Sequence, residues 1–97
     1  MNIIQTATAG TMESSDMMVT LEPGAGGLVI ELDSTVEQQY GDDIRRVLRE
    51  TLAGLGVTDA RVTAVDRGAL DCVIRARAKT AAHRACGAAN YHWEDNP

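Results

Sequence analysis

Apolar and polar residues alternate along two segments of the chain, and this alternation is typical of strands with one buried face. The first segment is Met17–Glu22, where Met, Val and Leu occupy every second position, and the second is Leu28–Asp33. Met1–Ala9 and Arg61–Val65 also have a composition that favours strands. The pattern therefore predicts strands in these four segments.

The first two predicted strands are separated by small and acidic residues over Gly10–Asp16, which favour a turn. These strands are therefore predicted to form a hairpin with Ser14 and Ser15 near its tip. Pro23–Gly27 separates the second strand from the third and is rich in glycine. It lacks the Lys-Ser/Thr ending of a phosphate-binding loop, so we interpret it as a plain connection between strands.

Two helices are predicted in the rest of the chain. Apolar residues recur every three or four positions from Val36 to Leu55 and form one continuous face, which includes Tyr40. Ser34, with Glu37 three residues later, has the spacing of a capping box and predicts the start of this helix. The segment Ala69–Ala85 has spacings that fit a helix and, in part, a strand. Its length and alanine content favour the helix, with Leu70 on the buried face.

The predicted elements follow one another in the order β-β-β-α-β-α. A chain of 97 residues can bury one core, and a second would not fit. We therefore expect a small single α+β domain, with two helices on one face of a largely antiparallel sheet. The domain is expected to span residues 1–97, with residues 88–97 forming a C-terminal tail.

Composition and charge disfavour several classes of function. Fourteen acidic against nine basic residues give a net charge of −5, which disfavours binding to nucleic acid. Aromatic residues make up 3% of the chain and Phe is absent, so the core is predicted to be aliphatic. No segment has the length of a membrane span or the pattern of a secretion signal. We expect a cytoplasmic protein without a membrane partner.

Few residues offer metal or catalytic chemistry. Cys72 and Cys86 lack the spacing of a zinc site, and we expect both to be reduced and partly buried. His83 and His92 are expected to be surface histidines, since neither lies in a segment that clearly returns to the hairpin. The sequence therefore predicts neither a metal site nor a catalytic residue.

Ser14 and Ser15 are nevertheless candidates for chemistry, because an exposed serine on a defined turn can anchor a flexible arm. Glu13 and Asp16 flank them, and on an exposed tip we expect both carboxylates to be solvated. Solvated carboxylates are poorly suited to general acid–base work. The residues permit an anchoring role for a serine here without selecting it over no role at all.

Four segments of the chain, taken in order, resemble those of the citrate lyase acyl carrier proteins, also called citrate lyase gamma chains. They are Ala9–Asp16, with the pattern AGTxESxD, then Ser34–Arg45, Asp66–Arg77 and Trp93–Asp95. The similarity extends over nearly the whole chain. One such segment would be a weak signal, but four in the same order are specific.

The resemblance implies that Ser14 binds 2'-(5''-phosphoribosyl)-3'-dephospho-CoA covalently, through a phosphodiester bond. In this family the thiol of that arm carries acetyl and citryl groups between an alpha subunit, which transfers the acyl group, and a beta subunit, which is the lyase. A separate holo-citrate-lyase synthase attaches the arm. The resemblance thus implies a non-catalytic carrier subunit of citrate fermentation. The residue after the modified serine is commonly glycine in the family and is Ser15 here, so Ser15 stays open as the acceptor.

Two alternatives also stay open. One is the carrier subunit of malonate decarboxylase, which uses the same kind of arm, although Gly68–Cys72 looks more like citrate lyase. The other is an unmodified α+β binding or regulatory module, in which Pro23–Gly27 would contact a small ligand. Fatty-acid carrier proteins are helical bundles with an Asp-Ser-Leu motif, which this chain lacks.

Overall fold

Four strands form one sheet, and two helices pack on one of its faces. The computed structural model describes residues 1–87. The elements are β1 (Ala7–Gly10), β2 (Met17–Pro23), β3 (Leu28–Ser34), α1 (Glu37–Gly54), β4 (Ala60–Asp66) and α2 (Asp71–Ala85). This order confirms the predicted α+β class. The predicted tail, with His92 and Trp93–Asp95, lies outside the described residues.

The strands lie in the order β1-β2-β4-β3, so β4 separates β2 from β3. β1 pairs with β2, and β2 with β4, in antiparallel fashion, whereas β3 and β4 are parallel. The sheet is mixed, with two antiparallel pairs and one parallel pair, as the prediction of a largely antiparallel sheet allows. The helix α1 connects the parallel pair, because a parallel connection requires a crossover.

The first strand is shorter than predicted. β1 begins at Ala7, and residues 1–6 instead run past the C-terminal end of α2. The backbone N–H groups of Ile4 and Gln5 donate to the carbonyl oxygen of Ala85, at 3.0 and 3.1 Å. Ile3 is buried there. Packing against the helix end thus determines the path of this segment, although its composition favours a strand.

The predicted capping box of α1 is wrong. The helix begins at Glu37 without a side-chain cap, and Ser34 is the last residue of β3. The Ser34 hydroxyl donates to Oδ2 of Asp66 at 2.8 Å and accepts from the N–H of Val36 at 3.1 Å. Ser34 lies opposite Asp66 in the parallel pair. Asp66 is fully buried, so its carboxylate needs hydrogen-bond partners, and Ser34 is one of them.

The core is aliphatic, as predicted. Alternate residues of the central strands are fully buried, Met17, Val19 and Leu21 in β2 and Val62 and Ala64 in β4. The helix α1 covers this face with Ile44, Val47, Leu48 and Leu52. Burying this apolar surface is the main favourable term in the stability of the domain.

The segment Asp71–Ala85 is a helix, so the preference for helix over strand is confirmed. Its buried face is built from Ile74, Ala78, Ala81, Ala82 and Ala85. The four alanines of this face let α2 lie close to β1 and β2, which it contacts. Two residues placed on buried faces by the sequence pattern are exposed instead, Leu70 at 71% and Tyr40 at 55%.

Candidate functional site

The turn between β1 and β2 spans residues 11–16 and carries both candidate serines. Ser14 and Ser15 are exposed at its tip, as the hairpin prediction requires. No residue in the described range 1–87 forms a hydrogen bond with the Ser14 side chain. The hydroxyl of Ser14 therefore faces solvent without a role in holding the turn together.

Backbone hydrogen bonds join this turn to the end of β4. The N–H of Ser15 donates to the carbonyl oxygen of Arg67 at 2.7 Å, and the N–H of Arg67 donates to that of Asp16 at 3.0 Å. Within the turn, the N–H of Asp16 donates to the carbonyl oxygen of Glu13 at 3.1 Å. Ser15 adopts a left-handed conformation, with φ at 66°, a region that favours glycine. The turn is thus a specific conformation fixed to the sheet.

The Asp16 carboxylate accepts four hydrogen bonds, which hold the turn in place. Its Oδ2 accepts a hydrogen bond from the Thr11 hydroxyl at 2.6 Å, and its Oδ1 accepts one from the N–H of Met17 at 2.7 Å. Arg77 of α2 donates from Nε to Oδ1 at 2.9 Å and from a terminal nitrogen to Oδ2 at 3.0 Å. A bidentate arginine–carboxylate pair is among the stronger polar contacts in proteins. It fastens the turn to α2.

This environment contradicts the expectation that Asp16 is solvated. The side chain of Asp16 is 14% exposed. The Arg77 guanidinium, followed by the Thr11 hydroxyl, holds the pKa of the Asp16 carboxyl well below its usual range. Glu13, in contrast, is exposed as expected. Asp16 and Arg77 are 61 positions apart in the chain, so the spacing of residues near the serines could not reveal the pair.

Gly10 makes this arrangement sterically possible. Its φ of +92° lies in the left-handed region. A Cβ at this position would lie 1.8 Å from the carbonyl oxygen of Met17 and 3.0 Å from Cδ of Arg77. Any side chain here would displace the β2 backbone or the stem of Arg77. Only glycine fits between the turn and the arginine.

Two of the segments noted in the sequence thus meet in space. Ala9–Asp16 contains the turn, and Asp66–Arg77 supplies both of its anchors, through the backbone of Arg67 and the side chain of Arg77. Asp66 also accepts the N–H of Ala69 at 2.9 Å and so shapes the entry into α2. Sequence reasoning missed Arg77 because nothing in the local pattern distinguishes it from Arg75 on the same helix.

The glycine-rich loop joins β2 to β3, as predicted, and passes over the start of β4. Oδ1 of Asp59 accepts the N–H groups of Ala25, Gly26 and Gly27, at 2.9, 3.0 and 3.2 Å. The Gly27 N–H contributes most to a lowered pKa of the Asp59 carboxyl, followed by those of Ala25 and Gly26. Three converging N–H groups could cradle a phosphate, but here they bind the chain's own carboxylate.

The other candidate residues do not form a site. Cys72 is an exposed free thiol, contrary to the expectation of partial burial, and Cys86 is half-buried. His83 is half-buried, and burial lowers its pKa. Across residues 1–87, no group of three or more His, Cys, Asp or Glu side chains could hold a metal ion. No helix in that range is long and apolar enough to cross a membrane.

A groove of about 480 Å³ lies between the N-termini of α1 and α2. Its exposed apolar rim includes Tyr40 and Leu70, and its carboxylates are Asp43, Asp66 and Asp71. None of its lining residues is Ser, Cys, His or Lys. The ionisable side chains of the groove are thus Tyr40 and the three aspartates.

Comparison with known proteins agrees with this picture. The family model described as ACP, malonate decarboxylase delta subunit (MdcD), matches residues 4–85. The citrate lyase acyl carrier protein of Streptococcus equi subsp. zooepidemicus is 54% identical, over 98% of this chain and 94% of that protein. The protein of the same name from Streptococcus mutans is 53% identical with the same coverage.

A solved structure shares the fold. It is a Pseudomonas malonate decarboxylase hetero-tetramer in complex with malonate, and one of its chains aligns with a TM-score of 0.73. The alignment covers 86% of both chains at 24% identity. The order of the strands and helices described above therefore also occurs in a protein of divergent sequence.

The family match over residues 4–85 makes this chain an acyl carrier protein, and its small α+β domain differs from the helical bundles of the fatty-acid carriers. The identity of 54% over 98% of the chain then favours the citrate lyase carriers over the malonate decarboxylase carriers. The chain belongs to the citrate lyase acyl carrier protein family, which confirms the resemblance found in the sequence.

Proposed function

We propose that Ser14 is the attachment site of a phosphoribosyl-dephospho-CoA arm and that the domain is the carrier subunit of a citrate lyase. One observation carries this proposal: the Ser14 hydroxyl is exposed and has no hydrogen-bond partner in residues 1–87, while the backbone around it is fixed. Such a hydroxyl can be esterified without breaking any contact that holds the fold. The exposed position also leaves space for a bulky group.

The conformation of Ser15 supports Ser14 over its neighbour. In the family that this chain resembles, glycine commonly follows the modified serine. Residue 15 has a φ of 66°, in the region where glycine is favoured. The family pattern and the backbone therefore match when Ser14 is the acceptor. Both hydroxyls are exposed, so Ser15 is the alternative that an experiment has to exclude.

The chemistry of attachment needs a second protein. Oγ of Ser14 would form a bond to a phosphorus atom of a triphosphoribosyl precursor, releasing its proton and pyrophosphate. The neighbouring carboxylate of Asp16 is a poor base for that proton, because Arg77 and Thr11 already occupy it and lower its pKa. We therefore propose that a holo-citrate-lyase synthase supplies the base.

The loaded domain would act as a carrier and not as a catalyst. When bound, the arm supplies a thiol that carries acetyl and citryl groups between the alpha and beta subunits of the lyase, in a complex that we propose to be cytoplasmic. The domain itself supplies a fixed anchor.

Substitution of each serine tests the assignment. We expect Ser14→Ala to abolish arm attachment and to change the free energy of unfolding by less than about 0.5 kcal/mol, because the side chain holds nothing. Ser15→Gly is the matched control, since it removes the rival hydroxyl and suits the left-handed backbone. Co-expression with the attaching synthase, followed by intact-mass measurement, gives the readout. A full mass increase in Ser14→Ala would reject the proposal.

A carrier subunit of malonate decarboxylase is the second candidate. The family model that matches residues 4–85 is described by that name, and the shared fold comes from a malonate decarboxylase. The 54% identity to citrate lyase carriers favours the first candidate. Incubating the armed carrier with the partner subunits of each enzyme would decide, since acetyl–citryl exchange is expected and malonyl loading is not.

A further inference from the structure

We infer that Arg77 is the positioning residue of the attachment site, acting through Asp16 to hold the serine turn in the conformation that the attaching enzyme binds. This inference rests on the proposed function of Ser14. Arg77 lies on α2, outside the turn, and neither hydrogen bond that it forms with Asp16 involves a serine. Its role is therefore to fix the position of the acceptor.

The geometry supports this role in three ways. The guanidinium binds both oxygens of Asp16, so it fixes the orientation of the carboxylate as well as its distance. The oriented carboxylate then accepts from Thr11 and from the N–H of Met17, on the two sides of the serines. Gly10 leaves the space that the Arg77 stem occupies. The contacts converge on a single arrangement of the turn.

Arg77 is also the element of this network that comes from farthest along the chain. Thr11 belongs to the turn and can move with it, and Met17 contributes only a backbone N–H, which survives substitution of its side chain. Arg67 contributes backbone groups, which survive any substitution of its side chain. Only the pair with Arg77 ties a side chain of the turn to a helix in the described structure. Loss of the Asp16–Arg77 pair should leave the domain folded, but the turn should then adopt several conformations. Only one of them would be bound by the attaching enzyme.

This reasoning predicts which kinetic constant changes. When only a fraction of the carrier has the competent turn, its apparent affinity for the attaching enzyme falls by that fraction, while the bound complex reacts normally. For Arg77→Gln we expect the KM for the carrier to rise about fivefold or more, with kcat nearly unchanged. An arginine that touched the reacting phosphate would lower kcat instead.

Arg75→Gln is the matched control. Arg75 lies on the same helix, and its side chain is 41% exposed against 40% for Arg77. It pairs with Glu50 of α1 at 3.7 Å and donates to the Thr51 hydroxyl at 3.4 Å, so its polar contacts within residues 1–87 are with α1 and not with the turn. We expect this variant to keep both kinetic constants. Arg77→Lys keeps the charge without the bidentate fork, so its KM should lie between those of the wild type and Arg77→Gln.

A second measurement needs neither the arm nor the enzyme. Hydrogen exchange at the Ser15 N–H, which donates to Arg67 at 2.7 Å, reports directly on the order of the turn in the unmodified protein. We expect exchange to accelerate about tenfold in Arg77→Gln at unchanged core protection, and to stay the same in Arg75→Gln.

The two measurements separate the inference from the proposed function. If the wild type gains no arm, the proposed function fails, and the exchange of Ser15 still tests the role of Arg77 in the turn. The inference about Arg77 is overturned if Arg77→Gln leaves Ser15 exchange unchanged, or if it lowers kcat with KM unchanged. It is also overturned if Arg75→Gln has the same effects.

Discussion

The two ends of β2 enter loops that are both held by an aspartate, yet the two loops are built differently. Before Met17, the serine turn is closed by Asp16, whose partners include a guanidinium from a distant helix. After Pro23, the glycine-rich loop is closed by Asp59, which is exposed and accepts only backbone N–H groups. The same carboxylate chemistry thus serves a turn locked to the core and a loop that folds over a neighbouring strand.

The glycines of the two loops differ in the same way. Gly24 and Gly26 have φ of +74° and +71°, and a Cβ on either would meet nothing within 4 Å. Gly10 has a similar φ, but the same atom would overlap the Met17 carbonyl. In the glycine-rich loop, glycine is needed only for its positive φ. At Gly10, which precedes the serine turn, glycine is needed both for its positive φ and because a side chain would not fit. The attachment site that we propose at Ser14 lies in the turn next to the packed glycine.

The largest loss of stability is expected for a substitution in the core, away from both loops. The losses expected for the loop variants can be compared with it. Leu48 is fully buried in α1, so Leu48→Ala should lower the free energy of unfolding by about 2–5 kcal/mol. Arg46→Ala, on the exposed face of the same helix, should cost less than about 0.5 kcal/mol. Urea denaturation measures both. Equal midpoints would show that the buried face of α1 is misplaced.

Alanine at the two kinds of glycine should separate packing from backbone conformation. Gly24→Ala should cost about 1–2 kcal/mol, the penalty for a side chain at positive φ. Gly10→Ala bears that penalty and the clash with Met17, so it should cost more than about 2 kcal/mol. Urea denaturation again gives the readout. If the two variants are equally stable, the turn has room that the structure does not show.

Removing each carboxylate charge tests the two aspartates directly. Asp16→Asn should lower stability near neutral pH by about 1.5–3 kcal/mol, because it weakens charge-assisted hydrogen bonds at a mostly buried side chain. Asp59→Asn should have a smaller effect, since the Asp59 carboxylate is exposed and has no charged partner among its hydrogen bonds to Ala25, Gly26 and Gly27. A larger loss for Asp59→Asn would reverse the comparison.

The same variants should differ in pH dependence. A carboxyl whose pKa is lower in the folded chain stabilises the fold above its unfolded-state pKa, and this stabilisation disappears as the pH falls. Asp16 and Asp59 both have lowered pKa values, so the wild type should lose stability below about pH 5. Asp16→Asn should reduce the loss of stability between neutral and acidic pH more than Asp59→Asn does. Urea midpoints between neutral and acidic pH test it, and parallel curves for all three proteins would contradict it.

Much of the candidate site could be predicted from the sequence. The change from alternation to small residues placed Ser14 and Ser15 at an exposed turn, and the turn is there. The partner of Asp16 could not be predicted, because several arginines follow on the predicted helix and only their final packing selects Arg77. Ser34 shows the opposite error. Its local pattern predicted a helix cap, but in the structure its hydroxyl donates a hydrogen bond to the buried carboxylate of Asp66.

The local periodicity of apolar and polar residues predicts the kind and order of the elements and the exposed turn with its serines, and the scarcity of aromatic residues predicts the aliphatic core. Three features become visible only in the folded chain: β4 lies between β2 and β3, residues 1–6 lie outside the sheet, and Asp16 is bound to Arg77. These features join residues far apart in the chain. They depend on which elements pack together, and a local pattern carries no information about its distant partner.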